Sequence, residues 1–365
     1  MTKKLSILVL CGGQSTEHDI SLLSAKNVIE RLDTDKYAVS VVKIAHDGVW
    51  HYFENPEDYF SHAKDAMNRR PYIHIIPGKK NPLYIAEKPV PVDCVFPVLH
   101  GTNGEDGTMQ GLLEILQLPY VGADCLGSAI GMDKEVLKRL LDEANLPVVD
   151  RCLIRKCDAE SICFSDIVKQ LGNNVFVKPN SLGSAVGVKK ATDEASFRAA
   201  LQNAFLYDEY VLVEKAIVGR EIECSVIGND YPKSSLPGEI INHTEFYSYD
   251  AKYVDGNAAT VKTPADLPQE MIAQFQTLAV KAYQTLRCIG MARVDFFLSR
   301  DGKIYINEIN TIPGFTNISM YPKNWEASGL HYGALLDELI ALAISRAEFK
   351  KSLVRVFHSN QTVNT

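Results

Sequence analysis

Two hydrophobic periods alternate along this chain. Leu5 to Cys11 is an unbroken apolar run, the pattern of a strand buried on both faces. After Gly12-Gly13, apolar residues recur at helical spacing through Ile20, Leu22, Leu23, Ala25, Val28, Ile29 and Leu32. Ser15 or Thr16 is the expected cap of that helix, with Glu17 in its first turn. A second strand at Tyr37 to Ile44 completes a βαβ opening, which predicts an α/β sheet. Val92 to Leu99 reads as another buried strand, whereas residues 52–92 show no usable period. Asp133 opens a helix through Ala144, stopped by Leu146-Pro147. Val175 to Pro179 and Tyr210 to Lys215 follow as strands, and Pro268 to Leu286 as an amphipathic helix. Pro237 to Pro268 reads as a long loop with aromatic content, suited to a lid. Residues 346–365 read as a helix end and a tail.

The clearest local signal lies at Met291 to Leu298 and Lys303 to Ile309, two β-rich runs around Ser299-Arg300-Asp301-Gly302. Asp-Gly between such runs predicts a hairpin. A two-residue loop pairs Arg300 with Lys303, and so places Asp295 opposite Glu308 and Arg293 opposite Asn310. Alternation then puts all four side chains on one face. Opposed carboxylates destabilise a sheet. Either Arg293 neutralises them or a cation does, and Asp, Glu and Asn oxygens are the hard ligands that Mg²⁺ accepts. The hairpin alone leaves both readings open. Asn310 to Thr316 follows as a turn whose backbone N–H groups suit an oxyanion or a carboxylate.

Bulk properties narrow the class. A chain of 365 residues has room for two or three domains. Its 46% hydrophobic and 23% charged content is that of a globular protein. A formal net charge of −7 argues against nucleic acid or an anionic membrane as partner. No apolar run reaches the ~20 residues that span a bilayer. Leu5 to Leu10 is too short for a secretory signal, and no small-residue cleavage site follows it. The eight cysteines form no CxxC pair, and read as reduced core residues of a cytoplasmic protein.

Several loops carry candidate chemistry. Glu17 lies at the carboxyl end of the first strand, where open α/β sheets bind ligands. A carboxylate favoured by the helix dipole is the plainer reading. His100-Gly101-Thr102-Asn103-Gly104-Glu105-Asp106-Gly107 is a polar glycine loop in which His100 is either a hydrogen-bonded loop residue or a substrate contact. Lys134 sits in a first helical turn, where the dipole disfavours a cation and a nearby phosphate accounts for it. Lys178 stands at the base of Asn180 to Val188, a small-residue loop without the Walker A pattern. Such a loop either folds a flap of N–H donors over phosphates or is a polar hairpin turn.

Taken in order, GGQSTEHDIS, VLHGTNGEDGTMQG, GMDK, FVKPNSLGSAVGV, VEKAIVGREIE, FYSYDAKY, MARVDFF and NEINTIPGFTNISMYPK resemble the D-alanine–D-alanine ligase family. The resemblance runs from about Lys4 to Ile344. It implies the ATP-grasp fold: an N-terminal open α/β domain over 1–122, then α+β domains over 123–221 and 222–352, with a tail at 353–365. It implies ATP-dependent joining of two D-alanines through an acyl phosphate, for peptidoglycan precursor synthesis. By resemblance, Asp295, Glu308 and Asn310 hold two Mg²⁺, for which Mn²⁺ can substitute. Lys134, Lys178 and Lys252 meet phosphates, and Glu214, Lys215, Ile217 and Glu221 match the adenosine-binding segment. Glu17 matches the holder of the first D-alanine's ammonium, joined by Ser184 and Tyr253, with His100 nearby. Arg293 and the Gly314 N–H match the oxyanion stabilisers, and Ser319 and Met320 the pocket of the second D-alanine. A homodimer is the expected assembly. Ala185 departs from the family's usual second serine in the flap, which removes a hydroxyl but keeps the backbone donor. The sister ligases that make D-alanyl-D-lactate or D-alanyl-D-serine are the nearest alternative. Tyr253 favours the dipeptide, because the ester-forming group typically carries histidine there. A catalytically silent ATP-grasp protein is a third reading, and the retained Asp295, Glu308, Asn310, Lys252 and Arg293 speak against it.

Overall fold

The computed structural model describes residues 3–61, 70–243 and 259–354. The expected βαβ opening is present. Strand β1 (Leu5–Gly12) is followed by a helix at His18–Arg31 and by β2 (Tyr37–Ile44), which pairs with β1 in parallel. Strand β3 (Trp50–Phe53) joins the edge of this sheet. Residues 52–92 contain more order than their sequence suggests. Strands β4 (His74–Ile75), β5 (Leu83–Ile85) and β6 (Lys88–Pro89) form a small separate sheet. Strand β7 (Cys94–Pro97), shorter than the Val92 to Leu99 run, completes the first sheet in the order β3-β2-β1-β7. Its interior holds Ile7, Val9, Val41 and Phe96 at or near zero exposure. The long helix Tyr332–Ser352 returns from the far end of the chain into that same core.

A helix at Cys125–Met132, which the sequence pattern does not reveal, leads into the expected one at Lys134–Glu143. Asp133 caps the latter by accepting from the Val136 N–H at 2.9 Å. A second sheet combines β8 (Arg151–Arg155), β9 (Val175–Pro179), β10 (Lys189–Ala191) and β11 (Tyr210–Lys215) in the order β10-β9-β11-β8, all antiparallel.

The third sheet contains β12 (Gly219–Gly228), β13 (Lys233–Ser234), β14 (Gly238–Asn242), β15 (Ala259–Lys262), β16 (Gly290–Ser299) and β17 (Ile304–Asn310). Its main path runs β15-β14-β12-β16-β17. Thus both ends of the stretch expected as a loop are strands, β14 paired with β15. The predicted lid residues Lys252 and Tyr253 lie outside the described residues. One face of this sheet packs on the helix Gln269–Thr285 through Phe275, Ala279 and Tyr283.

The hairpin reaches its expected pairing by an unexpected route. Ser299, not Arg300, faces Lys303, with the Ser299 N–H donating to the Lys303 carbonyl at 2.9 Å. The loop therefore has three residues, closed by Gly302 at φ +83°, a left-handed value that glycine adopts without strain. That moves the pairs near the tip by one, so that Phe296 faces Ile306. A bulge at Asn307 adds one residue to β17 and moves the register back. The two shifts cancel. Asp295 faces Glu308, and Arg293 faces Asn310.

The cysteines are free, but they are not all core residues. Cys11, Cys94, Cys224 and Cys288 are buried, whereas Cys157 is exposed.

Candidate active site

A cleft opens where the first sheet, the flap loop and the third sheet meet. Its walls are Glu17, Ile20, His100, Glu105, Gly183, Ser184, Arg293, Glu308, Asn310, Ile312, Pro313 and Gly314. Residues from four distant stretches of sequence therefore share one surface.

Glu17 occupies the N-cap position of the His18–Arg31 helix, displacing the expected Ser15 or Thr16. Ser15 Oγ instead accepts from the Glu17 N–H at 3.1 Å. This leaves the Glu17 side chain free to turn into the cleft, where it accepts a hydrogen bond from Ser184 Oγ of the flap. Ser184 and Ala185 have φ of 52° and 56°, so the flap tip turns through consecutive left-handed residues. Gly101 brings the opposite loop close. A Cβ there would lie 2.7 Å from Glu17 Oε2 and would push this carboxylate aside, and the φ of +73° suits glycine.

His100 is committed on both nitrogens. Nδ1 donates to the Ile312 carbonyl at 3.0 Å, and Nε2 lies 3.3 Å from Ser24 Oγ. Burial holds its pKa below the ordinary value. Only the ring itself is offered to the cleft. Glu105, which the sequence pattern did not single out, accepts from the Gly101 N–H at 2.7 Å and the Ile312 N–H at 3.2 Å. Burial, reinforced by the Glu17 charge, raises its carboxyl well above the usual range.

Across the third sheet, two rows of polar residues run side by side. Glu223, Asp295 and Glu308 stand in register on β12, β16 and β17; Ser225, Arg293 and Asn310 form the next row. Arg293 donates from Nε and Nη2 to the two Asp295 oxygens, each at 2.7 Å, and its Nε lies 2.9 Å from Glu223 Oε2. Burial opposes the Arg293 charge, but the facing carboxylates keep it ionised. Asn310 Nδ2 donates to Asp295 Oδ2 at 2.9 Å. Lys134 Nζ lies 3.6 Å from Glu308 Oε2 and donates to the Leu182 carbonyl of the flap at 2.6 Å. The cation in a first helical turn thus has both a carboxylate and a carbonyl beside it. Asn180 completes the dock: its carbonyl and side chain accept from the Lys134 and Glu135 N–H groups at 3.2 and 3.0 Å.

Behind the flap, Lys178 Nζ lies 2.5 Å from Glu214 Oε2, and the fully buried Lys138 lies 2.6 Å from Oε1. Lys138 is one helical turn beyond Lys134, hidden in the sequence as an ordinary surface lysine. Burial alone would raise the Glu214 carboxyl, but the two ammonium groups outweigh it and bring it to about 2. Its contribution to stability is therefore complete above the usual carboxylate range. It is lost as pH falls from there toward 2. Glu214→Gln is expected to flatten that acid limb, and to cost on the order of 3–5 kcal/mol near neutrality by stranding two buried cations. Thermal melts from pH 7 down to pH 3 measure both effects, and parallel curves for the two proteins would refute the assignment.

Other predicted residues lie around this centre without lining the cleft. Lys215 is half exposed, 3.7 Å from Asp150, and Ile217 is partly buried beyond it. Glu221 accepts from Asn242 Nδ2 at 2.9 Å. Ser319 Oγ accepts from the Thr316 N–H at 2.9 Å, and Met320 is buried at the start of the next helix. Asn307, the bulge residue, accepts from Lys178 Nζ at 3.5 Å and also escaped the sequence pattern.

Comparison with known proteins matches the chain over nearly its whole length. The family model described as D-ala D-ala ligase N-terminus covers residues 6–123, and that described as D-ala D-ala ligase C-terminus covers residues 140–341. The chain belongs to the D-alanine–D-alanine ligase family. Its fold is the ATP-grasp fold. A D-alanine–D-alanine ligase of Coxiella burnetii (strain Dugway 5J108-111) is 47% identical over 372 residues, 98% of either chain. One of Shouchella clausii (strain KSM-K16) is also 47% identical, over 97% of this chain and 98% of its own. A solved D-alanine–D-alanine ligase from Coxiella burnetii superposes with a TM-score of 0.86 at 44% identity, covering 95% of this chain and 97% of that one. VanG D-Ala:D-Ser ligase from Enterococcus faecalis superposes at 0.83 with 33% identity, over 93% and 100%. Members with different second substrates thus share this family fold.

Proposed function

We propose that this protein joins two D-alanines into D-alanyl-D-alanine with hydrolysis of ATP to ADP and phosphate, as a step in peptidoglycan precursor synthesis. The observation that carries the reading is the convergence of Glu17, Ser184, Arg293, Glu308 and Gly314 on one cleft in a chain of this family.

A carboxylate is a poor electrophile for an amine. The γ-phosphoryl group of ATP therefore passes first to a carboxylate oxygen of one D-alanine, giving an acyl phosphate and ADP. The amine of the second D-alanine, after losing a proton, attacks the carbonyl carbon. A tetrahedral oxyanion forms and collapses with loss of phosphate. Phosphoryl transfer depends on positioning and charge neutralisation. Lys134 and Lys178 supply positive charge beside the flap, and Lys252 of the lid is assigned the same role. Glu214, Lys215, Ile217 and Glu221 bind the adenosine. Glu17 accepts the ammonium of the first D-alanine, steadied by Ser184 and Tyr253, while His100 walls that subsite. Arg293 and the Gly314 N–H face the developing oxyanion. Ser319 and Met320 shape the pocket for the second D-alanine.

The donor set of Asp295, Glu308 and the Asn310 amide fits Mg²⁺. These are hard oxygen ligands on adjacent strands, and the paired acids favour an added cation. Two Mg²⁺ (or Mn²⁺) bound by these residues would supply charge neutralisation to the ATP phosphates. We assign the domains to 1–122, 123–221 and 222–352, with a tail at 353–365, and the active protein to a cytoplasmic homodimer.

Phosphate release from ATP, measured side by side with D-alanine, L-alanine, D-serine and D-lactate, tests the reading. Release should require D-alanine. Product masses should give the dipeptide even when D-serine or D-lactate competes. A product that takes up D-serine in preference, the specificity that VanG's name records, would move the assignment to the sister ligases.

A further inference from the structure

Arg293 has two carboxylate neighbours at one nitrogen, and only one of them takes its hydrogen. Nε carries one proton and donates it to Asp295 Oδ1 across an N···O distance of 2.7 Å, while Glu223 Oε2 stands 2.9 Å from the same nitrogen as an ion-pair neighbour. Asp295 holds the stronger position, because Nη2 also donates to its second oxygen. Yet Asp295 is the residue assigned to a divalent cation. A cation on Asp295 competes directly with the guanidinium for those oxygens. A buried guanidinium that loses its only carboxylate is costly. Arg293 does not face that loss. Glu223 stands beside Asp295 on the neighbouring strand, itself only 5% exposed, and belongs to no assigned ligand set.

We propose that Glu223 is a positioning residue that takes over Arg293 when a divalent cation takes Asp295. The exchange frees a metal ligand without releasing the guanidinium that the oxyanion needs. It rests on the reading of Asp295 and Glu308 as cation ligands. A plainer role for Glu223 is to add negative charge near the ion, and the two differ in what they require. Charge alone suffices for attraction, whereas taking over Arg293 also needs the reach of a glutamate.

The experiment is Mn²⁺ binding to the full-length protein without ATP or D-alanine, followed by electron paramagnetic resonance. The proteins compared are wild type, Glu223→Gln, Glu223→Asp and Glu308→Gln. In both Glu223 variants the guanidinium can hold only Asp295 and competes harder with the ion. Mn²⁺ affinity is expected to fall about tenfold in each, within the range of couplings between contacting groups. Glu223→Asp keeps the charge and shortens the side chain by one methylene, so wild-type affinity in that variant would overturn the proposal. It also remains informative if the neutral variant fails to fold. At saturating Mn²⁺, kcat should stay depressed in both variants, and full recovery would overturn the proposal as well. Glu308→Gln separates the two levels. If it leaves Mn²⁺ binding intact, the cation reading fails; if it abolishes binding while Glu223→Asp does nothing, only the role of Glu223 fails.

Discussion

Glu308→Gln is expected to give a folded protein with almost no phosphoryl transfer. Glu308 faces Asp295 across the β16–β17 ladder, with the Lys134 ammonium 3.6 Å away. Glutamine keeps the shape and removes one of two opposed carboxylates, so stability should hold or rise slightly. The cation site, however, loses a charged ligand. Metal assistance supplies several kcal/mol to reactions of this kind, so the rate should fall on the order of a thousandfold or more. Thermal melts and phosphate release with D-alanine on the same preparation check both halves. Normal turnover by this variant would mean that the paired acids have a structural role alone, with Arg293 as their counter-ion.

What the sequence revealed and what it hid follow the range of the signals. Alternation along one hairpin was enough to bring Arg293, Asp295, Glu308 and Asn310 together. The route was misjudged, because an Asp-Gly pair fits both a two-residue loop and a three-residue loop closed by glycine. Only the bulge at Asn307 restores the pairing. A bulge leaves no period in one sequence, so the agreement at Asp295 and Glu308 depended on two cancelling shifts.

Glu223 was hidden for a different reason. Its partner Asp295 lies 72 residues further along the chain, and the register between β12 and β16 is set by packing rather than by a turn. Glu105 sat in a recognised loop, but nothing local distinguishes it from Asp106. Its burial and its bonds to the Gly101 and Ile312 N–H groups come from chain segments that meet only in the fold. Lys138 read as one more helical lysine, because burial of a cation depends on Glu214 arriving from another strand. The strands at Leu5–Gly12, Tyr37–Ile44, Val175–Pro179 and Tyr210–Lys215 were legible almost to the residue, since each is a short apolar or β-branched run bounded by polar or turn residues.

Arg293→Ala should lose at least ~10²–10³ in kcat, the typical cost of one oxyanion donor. It should also lose stability. The guanidinium sits against Asp295 and Glu223, both almost buried, and removing it strands two carboxylates at a cost on the order of 3–5 kcal/mol. These two losses have different remedies. A divalent cation on Asp295 and Glu308 replaces much of the missing positive charge, so added Mg²⁺ should raise the melting temperature of Arg293→Ala more than that of the wild type. It cannot replace a donor aimed at the substrate oxygen. The deficit in kcat should therefore persist at saturating Mg²⁺ and ATP, with the KM for ATP little changed. Melting curves and initial rates across a Mg²⁺ titration separate the roles. If saturating Mg²⁺ restores stability and kcat together, Arg293 is a counter-ion for the acids and the oxyanion is stabilised elsewhere, with the Gly314 N–H as the remaining donor. If stability recovers and kcat does not, the guanidinium acts on the transition state itself.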